Sequence, residues 1–285
     1  MSSGDPRLAD DDELDLVIEI TRRATELVMR RYRGSFAVSL KGPGDPVTDA
    51  DRESNDLICA ELGRQFPRAA VVAEESVPRD GATLGALLGN PEVFFVDPLD
   101  GTREFVARNG QFAVMIGLVR SGRAMLGTVA IPAEGLLLAG RVGGPAYAER
   151  DDGTRRPLEV SGTSELRGAR LVVSRSRPPC WLEALGREAE LGPPTRLGSV
   201  GVKVGRLVQG LGELYVHAGA TTKLWDCCGP AAVLAAAGGC LTDLAGQPID
   251  YAAPDLCLRY GILGSNGALH GAAVAAIARA GGVAS

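Results

Sequence analysis

Four short acidic pieces stand where apolar runs begin or end. Glu74-Glu75 follows Ala70-Val71-Val72-Ala73, and Asp97-Pro98-Leu99-Asp100-Gly101-Thr102 follows Val93-Phe94-Phe95-Val96. Trp225-Asp226 precedes an Ala-rich helical stretch, and Thr48-Asp49-Ala50-Asp51 opens another. Strand and helix ends are where such pieces can converge. Carboxylates brought that close repel one another unless cations lie between them, so convergence calls for hard divalent ions held through oxygen.

With 285 residues the chain is long enough for a full core. The expectation is a single catalytic unit over 1–285, with an N-terminal α+β half (1–160) carrying the main acidic motifs and a C-terminal α/β half (161–285) completing the site. A formal net charge of -5 argues against nucleic acid or an anionic membrane as partner. Met1 to Glu13 is acidic and lacks the basic and apolar regions of a signal peptide. No apolar run nears the roughly 20 residues of a membrane span, so a soluble, cytoplasmic protein is expected. Six cysteines without a Cys-x-x-Cys or a neighbouring histidine read as thiols in a reducing cytosol. Two histidines and no Gly-x-Ser-x-Gly elbow argue against histidine-rich metal chemistry and a Ser-His-Asp triad.

Leu14, Val17, Ile18, Thr21, Ala24, Leu27 and Val28 recur at helical spacing, with Asp11 or Asp12 as cap. A Gly/Pro-rich loop, Lys41 to Pro46, separates this helix from a second over Asp49 to Gln65. Phe112 to Val160 reads as a β-meander. Helices and strands alternate through the remainder: a strand at Arg170–Ser174, helices after Pro179 and from Ser199, a strand at Glu213–His217, a helix at Asp226–Ala237, strands at Cys240–Leu244 and Arg259–Gly264, and a terminal helix. Such alternation implies a layered α/β architecture. Exposed apolar meander strands would suit a homodimer.

In Asp97-Pro98-Leu99-Asp100-Gly101-Thr102 a strand delivers Asp97, proline turns the chain, and a second carboxylate returns beside a glycine that tolerates close backbone approach. Asp97 can bridge two cations and the Leu99 carbonyl can add an oxygen. Amides at Gly101 and Thr102 can face a phosphate. Each piece also has a plainer reading: Glu74-Glu75 as a solvated strand end, Thr48-x-x-Asp51 as a capping box, and Asp226 as an N-cap. Their co-occurrence at element boundaries favours chemistry. An EF-hand starting at Asp49 fails at Ser54 and Ala60, where Gly and Glu are required. Gly198 to Lys203 lacks the Lys-Ser/Thr ending of a P-loop. The spacing of Asp97 and Asp100 does not suit a covalent aspartyl phosphate.

Together these motifs resemble the magnesium-dependent, lithium-sensitive phosphatase superfamily that includes the inositol monophosphatases. The likeness runs from Pro46-Val47-Thr48 to the C-terminal helix. It implies a sugar-phosphatase-like αβαβα sandwich with a mainly antiparallel first sheet and a smaller second sheet. The run Asp97-Pro98-Leu99-Asp100-Gly101-Thr102-Arg103-Glu104-Phe105 looks like the 3'(2'),5'-bisphosphate nucleotidase branch, as do Val173-Ser174-Arg175-Ser176, Gly198 to Lys203, and Lys223-Leu224-Trp225-Asp226. Arg177 departs from it, standing where many relatives carry histidine.

The resemblance implies that Glu74, Asp97, the Leu99 carbonyl, Asp100 and Asp226 hold two Mg²⁺ ions, with Asp51 at the position that holds a further ion or its water. It gives Thr102 the orientation of the attacking water, and Gly101 and Thr102 the phosphate. Ser174, Arg175, Lys203 and Asp226 are then candidates for substrate contacts. The implied reaction converts 3'-phosphoadenosine 5'-phosphate to AMP and phosphate, recycling a by-product of sulfate assimilation. Alternatives on the same scaffold are an inositol or sugar monophosphatase and a non-catalytic metal- or phosphate-binding regulator.

Overall fold

A computed structural model describes residues 10–176, 178–219 and 221–282. In chain order its elements are α1 (Asp11–Arg33), β1 (Val38–Gly42), β2 (Asp45–Thr48), α2 (Asp49–Gln65), β3 (Ala70–Ala73), α3 (Gly81–Leu88), β4 (Glu92–Asp100), α4 (Thr102–Val106) and β5 (Ala113–Arg120). There follow β6 (Arg123–Ile131), β7 (Leu136–Arg141), β8 (Ala146–Arg150), β9 (Arg155–Pro157), β10 (Leu171–Ser174), α5 (Leu182–Glu188), β11 (Thr195–Leu197) and α6 (Val200–Val208). The last are β12 (Leu214–His217), α7 (Leu224–Ala236), β13 (Cys240–Thr242), β14 (Ile262–Ser265) and α8 (His270–Arg279).

Seven strands form one sheet in the order β3-β4-β5-β6-β7-β8-β9, antiparallel except for the β3–β4 pair. Five form a second, β11-β10-β12-β14-β13, in which β10 runs parallel to β11 and β12. Period-2 alternation sorts the strand residues into layers. Phe94, Val96, Val114, Ile116 and Leu118 face α1 and α2, while Ala113, Met115, Val129 and Leu138 face α6 and α7. The same two helices carry Tyr215 and Ile262 of the second sheet, whose other face packs Leu171, Val173 and Leu263 on α5 and α8. The result is the αβαβα sandwich that the motifs imply.

Three local readings are corrected. Asp10, not Asp11 or Asp12, caps α1, its carboxylate accepting the Glu13 N–H at 2.9 Å. The Lys41 to Pro46 segment is not a plain loop but part of the hairpin β1–β2, turning at Gly44 with φ +69°. The meander strands β5, β6 and β7 are largely buried rather than exposed. The part of the acidic N-terminus before Asp10 lies outside the described residues. All six cysteines are free thiols, as expected. None of the helices is long and apolar enough to cross a membrane among the described residues.

One contact places the end of α7. Gly229 lies against Gly117 of β5 and Gly127 of β6 so closely that a Cβ on Gly229 would stand 2.7 Å from the Ile116 carbonyl oxygen and 2.9 Å from that of Thr128. A Cβ on Gly117 would sit 2.4 Å from the Gly229 nitrogen. No Cβ fits at these three glycines, so backbone rests on backbone with the Cys228 Sγ packed beside Gly117, and Asp226, one turn earlier on α7, is brought to the ends of β4 and β5. Gly229→Ala should cost about 3 kcal/mol, the upper part of the usual overpacking range, because the clash is with backbone that cannot rotate away. Urea unfolding checks this: a loss below about 1 kcal/mol would mean that helix and sheet are not in contact.

Candidate functional site

The site is built at strand ends. β3 and β4 run parallel with Ala73 opposite Val96, which sets Glu74 beside Asp97. The chain does not turn at Pro98: β4 continues to Asp100, and the register with β5 slips between Asp97, opposite Met115, and Asp100, opposite Ala113. Pro98 occupies this bulge, where its missing N–H removes no ladder hydrogen bond. The extra residue swings Asp100 back toward Asp97, and the Leu99 N–H donates to Asp97 Oδ1 at 3.1 Å. Gly101 then takes φ +91°, and a Cβ there would lie 2.9 Å from the Gln111 carbonyl oxygen. Only glycine suits that position.

α7 brings the third carboxylate. Asp226 is not the N-cap residue but the third helical residue, and its Oδ2 accepts the Lys223 N–H at 2.7 Å. Asp97, Asp100 and Asp226 thereby offer oxygens that all lie within 4.8 Å of one another. Glu74 lines the same cleft, but its carboxylate accepts a hydrogen bond from Lys41 Nζ at 2.7 Å, and the same ammonium pairs with Glu75. Asp51 closes a capping box at the start of α2, with Oδ2 accepting the Thr48 N–H and hydroxyl at 2.8 and 2.6 Å. Its Oδ1 accepts the Thr102 hydroxyl at 2.8 Å. Capping and site-building are thus done by the same side chain.

Electrostatics follow from this crowding. Burial first, then the charges of Glu74 and Asp100, push the Asp97 carboxyl well above the usual carboxylate range. Burial, then Asp100 and Glu74, push Asp226 up to about 8. Burial raises Glu74 too, against the opposing Lys41 ammonium, and raises Glu75 to about 6. These values describe carboxylates short of positive charge. Three oxygen donors from aspartates, with the Leu99 carbonyl adjacent, suit a hard divalent cation such as Mg²⁺, so the residues fit the group that the motifs imply.

The rest of the cleft, about 260 Å³, is contributed by both halves of the chain. Lys203 lines it from α6 and is only 4% exposed, so it is not the surface lysine its residue type would suggest. Its ammonium lies 5.4 Å from the centroid of the Tyr215 ring. Burial brings its pKa down to about 8, opposed chiefly by Asp100 and Glu104. Ser174, Ser176, His217 and Thr222 also line the cleft. Arg175 is not brought in: it is exposed and its guanidinium donates to Gln111 Oε1, which also accepts the Gly198 N–H at 2.7 Å. Arg177 lies outside the described residues. Two contributors lie in segments that the sequence singles out without assigning them a site role. Lys41 acts from a hairpin far along the chain, and Ser199, at φ +52°, caps α6 through the Val202 N–H while donating to Asp100 Oδ2.

The model of the inositol monophosphatase family matches residues 10–281. The chain belongs to the inositol monophosphatase family. It is 32% identical over 240 residues to the 3'(2'),5'-bisphosphate nucleotidase CysQ of Escherichia coli K12, spanning 84% of this chain and 93% of that protein. It is 28% identical over 249 residues to a histidinol-phosphatase of Chlorobaculum parvum, spanning 82% and 87%. Among solved structures, a staphylococcal IMPase superposes with a TM-score of 0.79 at 18% identity, covering 97% of this chain and 99% of that one. The Anabaena inositol monophosphatase gives 0.74 at 24% identity, covering 94% and 96%. At such identities the superpositions establish the fold, and membership makes this chain a phosphatase of a metal-dependent family.

The sign of the pH dependence follows from Asp226. A carboxyl near 8 in the folded chain and near 3.9 when unfolded stabilises the metal-free protein below the lower value, and that contribution fades as pH rises through about 8. Asp226→Asn removes the titration, so in EDTA its melting temperature should gain on that of the parent as pH is raised from 5 to 8. A pH-independent difference in calorimetry would contradict the placement of Asp226 among other carboxylates.

Proposed function

We propose that the chain is a Mg²⁺-dependent 3'(2'),5'-bisphosphate nucleotidase that removes the 3'-phosphate of 3'-phosphoadenosine 5'-phosphate to give AMP and phosphate. The observation that carries this reading is the meeting of Asp97, Asp100 and Asp226 within 4.8 Å in a cleft that also holds the buried ammonium of Lys203. Two Mg²⁺ ions held by Glu74, Asp97, the Leu99 carbonyl, Asp100 and Asp226 would supply Lewis acidity, acidifying water and neutralising charge on the leaving oxygen. Asp51 keeps the Thr102 hydroxyl donating toward itself, which leaves the Thr102 oxygen free to accept a hydrogen bond from the attacking water. The amides of Gly101 and Thr102 face the phosphate at the start of α4. Displacement is direct and in line, with no phosphoryl group on the enzyme.

Lys203 supports a substrate with a second phosphate. A buried cation without a carboxylate in hydrogen-bonding contact among the described residues is matched by a phosphate as a point charge, and the likeness to CysQ of E. coli points the same way. Ser174 lines the same wall, and Arg175 would act through Gln111 on the Gly198 turn rather than on substrate. Inositol and histidinol phosphates are the competing substrates on this scaffold.

Phosphate release from 3'-phosphoadenosine 5'-phosphate, inositol phosphate and histidinol phosphate, each with Mg²⁺ or EDTA, tests the reading. The bisphosphate should be favoured in kcat/KM by more than about tenfold, or about 1.4 kcal/mol, and EDTA should stop release. Preference for either monoester would overturn the substrate assignment. Asp100→Asn should keep its melting temperature yet lose turnover, and near-normal activity would remove the metal role. Lys203→Met should raise KM for the bisphosphate by about thirtyfold, corresponding to about 2 kcal/mol for a lost charge-assisted hydrogen bond, while leaving the monoesters nearly unchanged.

A further inference from the structure

Among the described residues the acidic cleft is not the only cavity, and a larger one lies elsewhere. A groove of about 1010 Å³ runs between α1 and the β6–β9 end of the seven-stranded sheet, and it shares no lining residue with the cleft. Its floor is apolar, made by Met29 of α1 with Ala130, Pro132, Leu136 and Leu137. Five arginines and three acids line it, a local excess of two positive charges on a chain whose formal net charge is -5.

The arginines divide into two groups. Arg22 and Arg155 are both held by the buried Glu149, so their charge is already answered. Arg30, Arg33 and Arg150 have neither an ion pair nor a side-chain hydrogen bond among the described residues. Arg30 and Arg33 come from the last turn of α1 and Arg150 lies opposite Leu136, beside the β6–β7 turn. The Thr25 hydroxyl, also in the groove lining, is buried without a hydrogen-bond partner. A cavity near the upper end of small-ligand sizes, with an apolar floor, unanswered cations and an orphan hydroxyl, has the make-up of a ligand site.

We infer that this groove binds an amphipathic anion, with an acyl-type apolar body on the Met29–Leu136–Leu137 floor and an anionic headgroup at Arg30 and Arg33. Both parts of the ligand are required by the surface. An inorganic anion leaves the floor wet, and an uncharged chain leaves the guanidinium groups unanswered. The site is independent of the nucleotidase reading, since it uses none of the same residues.

Isothermal titration of the full chain in EDTA with decanoate tests it, with decanol and acetate as the charge-free and chain-free controls. Decanoate should bind saturably with one site per chain, at least about tenfold more tightly than either control, a difference of about 1.4 kcal/mol. The double variant Arg30→Glu/Arg33→Glu should lose that binding while keeping its melting temperature and phosphatase rate. Met29→Lys should weaken decanoate binding as well, which separates floor from rim. Equal affinity for decanol, or decanoate binding unaltered in the double variant, would overturn the proposal. So would a dimer in sedimentation that the double variant dissociates while no decanoate binds, since the occupant would then be a second copy of the chain.

Discussion

Repulsion among buried carboxylates is the constraint around which this molecule is arranged. The fold meets part of it with helix beginnings. Asp51 and Asp226 each take the third position of a helix and accept the N-cap amide, while Asp100 Oδ2 accepts the Gly201 N–H at 2.9 Å and the Ser199 hydroxyl at the start of α6. Each such helix end contributes about 0.3–1 kcal/mol. That does not offset burial, because Asp226 still titrates near 8. The remaining deficit is the physical case for a bound cation, and it is also why Lys41 reaches across from its hairpin to the outermost acids, Glu74 and Glu75.

The two halves of the chain divide the work. The seven-stranded sheet and its strand-end turns supply Glu74, Asp97, Asp100 and Thr102, while the helices between the sheets bring Asp226 and Lys203. The acidic cluster thus sits mostly on β4 and its continuation. The uncharged polar lining of the cleft, including Ser174, His217 and Thr222, comes from the second sheet and the approach to α7. The acidic cluster and the opposite wall of the cleft therefore rest on different elements.

Much of this was legible in the sequence wherever a local rule operates. The second helix lies at Asp49–Gln65 as its periodicity and Pro67 indicate, and the meander follows its alternation and turn glycines. The acidic pieces could be read because carboxylates at element ends are rare in company. What escaped depends on partners distant in the chain. The hairpin β1–β2 was hidden by Gly42, Gly44 and Pro46, and α3, rich in Gly, Ala and Leu, has no contrasting polar face to reveal its period. The three-residue edge strand β11 is too short to show alternation. Nothing near Lys41 announces Glu74, and nothing near Arg175 announces that Gln111 will take its guanidinium.

The seam of Gly117, Gly127 and Gly229 has a consequence for how such a scaffold diversifies. Asp226 is indexed to the sheet largely by main chain touching main chain, with only the small Cys228 Sγ beside Gly117. Bulk at Val233 or Leu234 can drift over generations while Asp97, Asp100 and Asp226 keep their spacing. The second sheet can then change without resetting the acidic cluster, so three missing side chains make that cluster heritable as a fixed module.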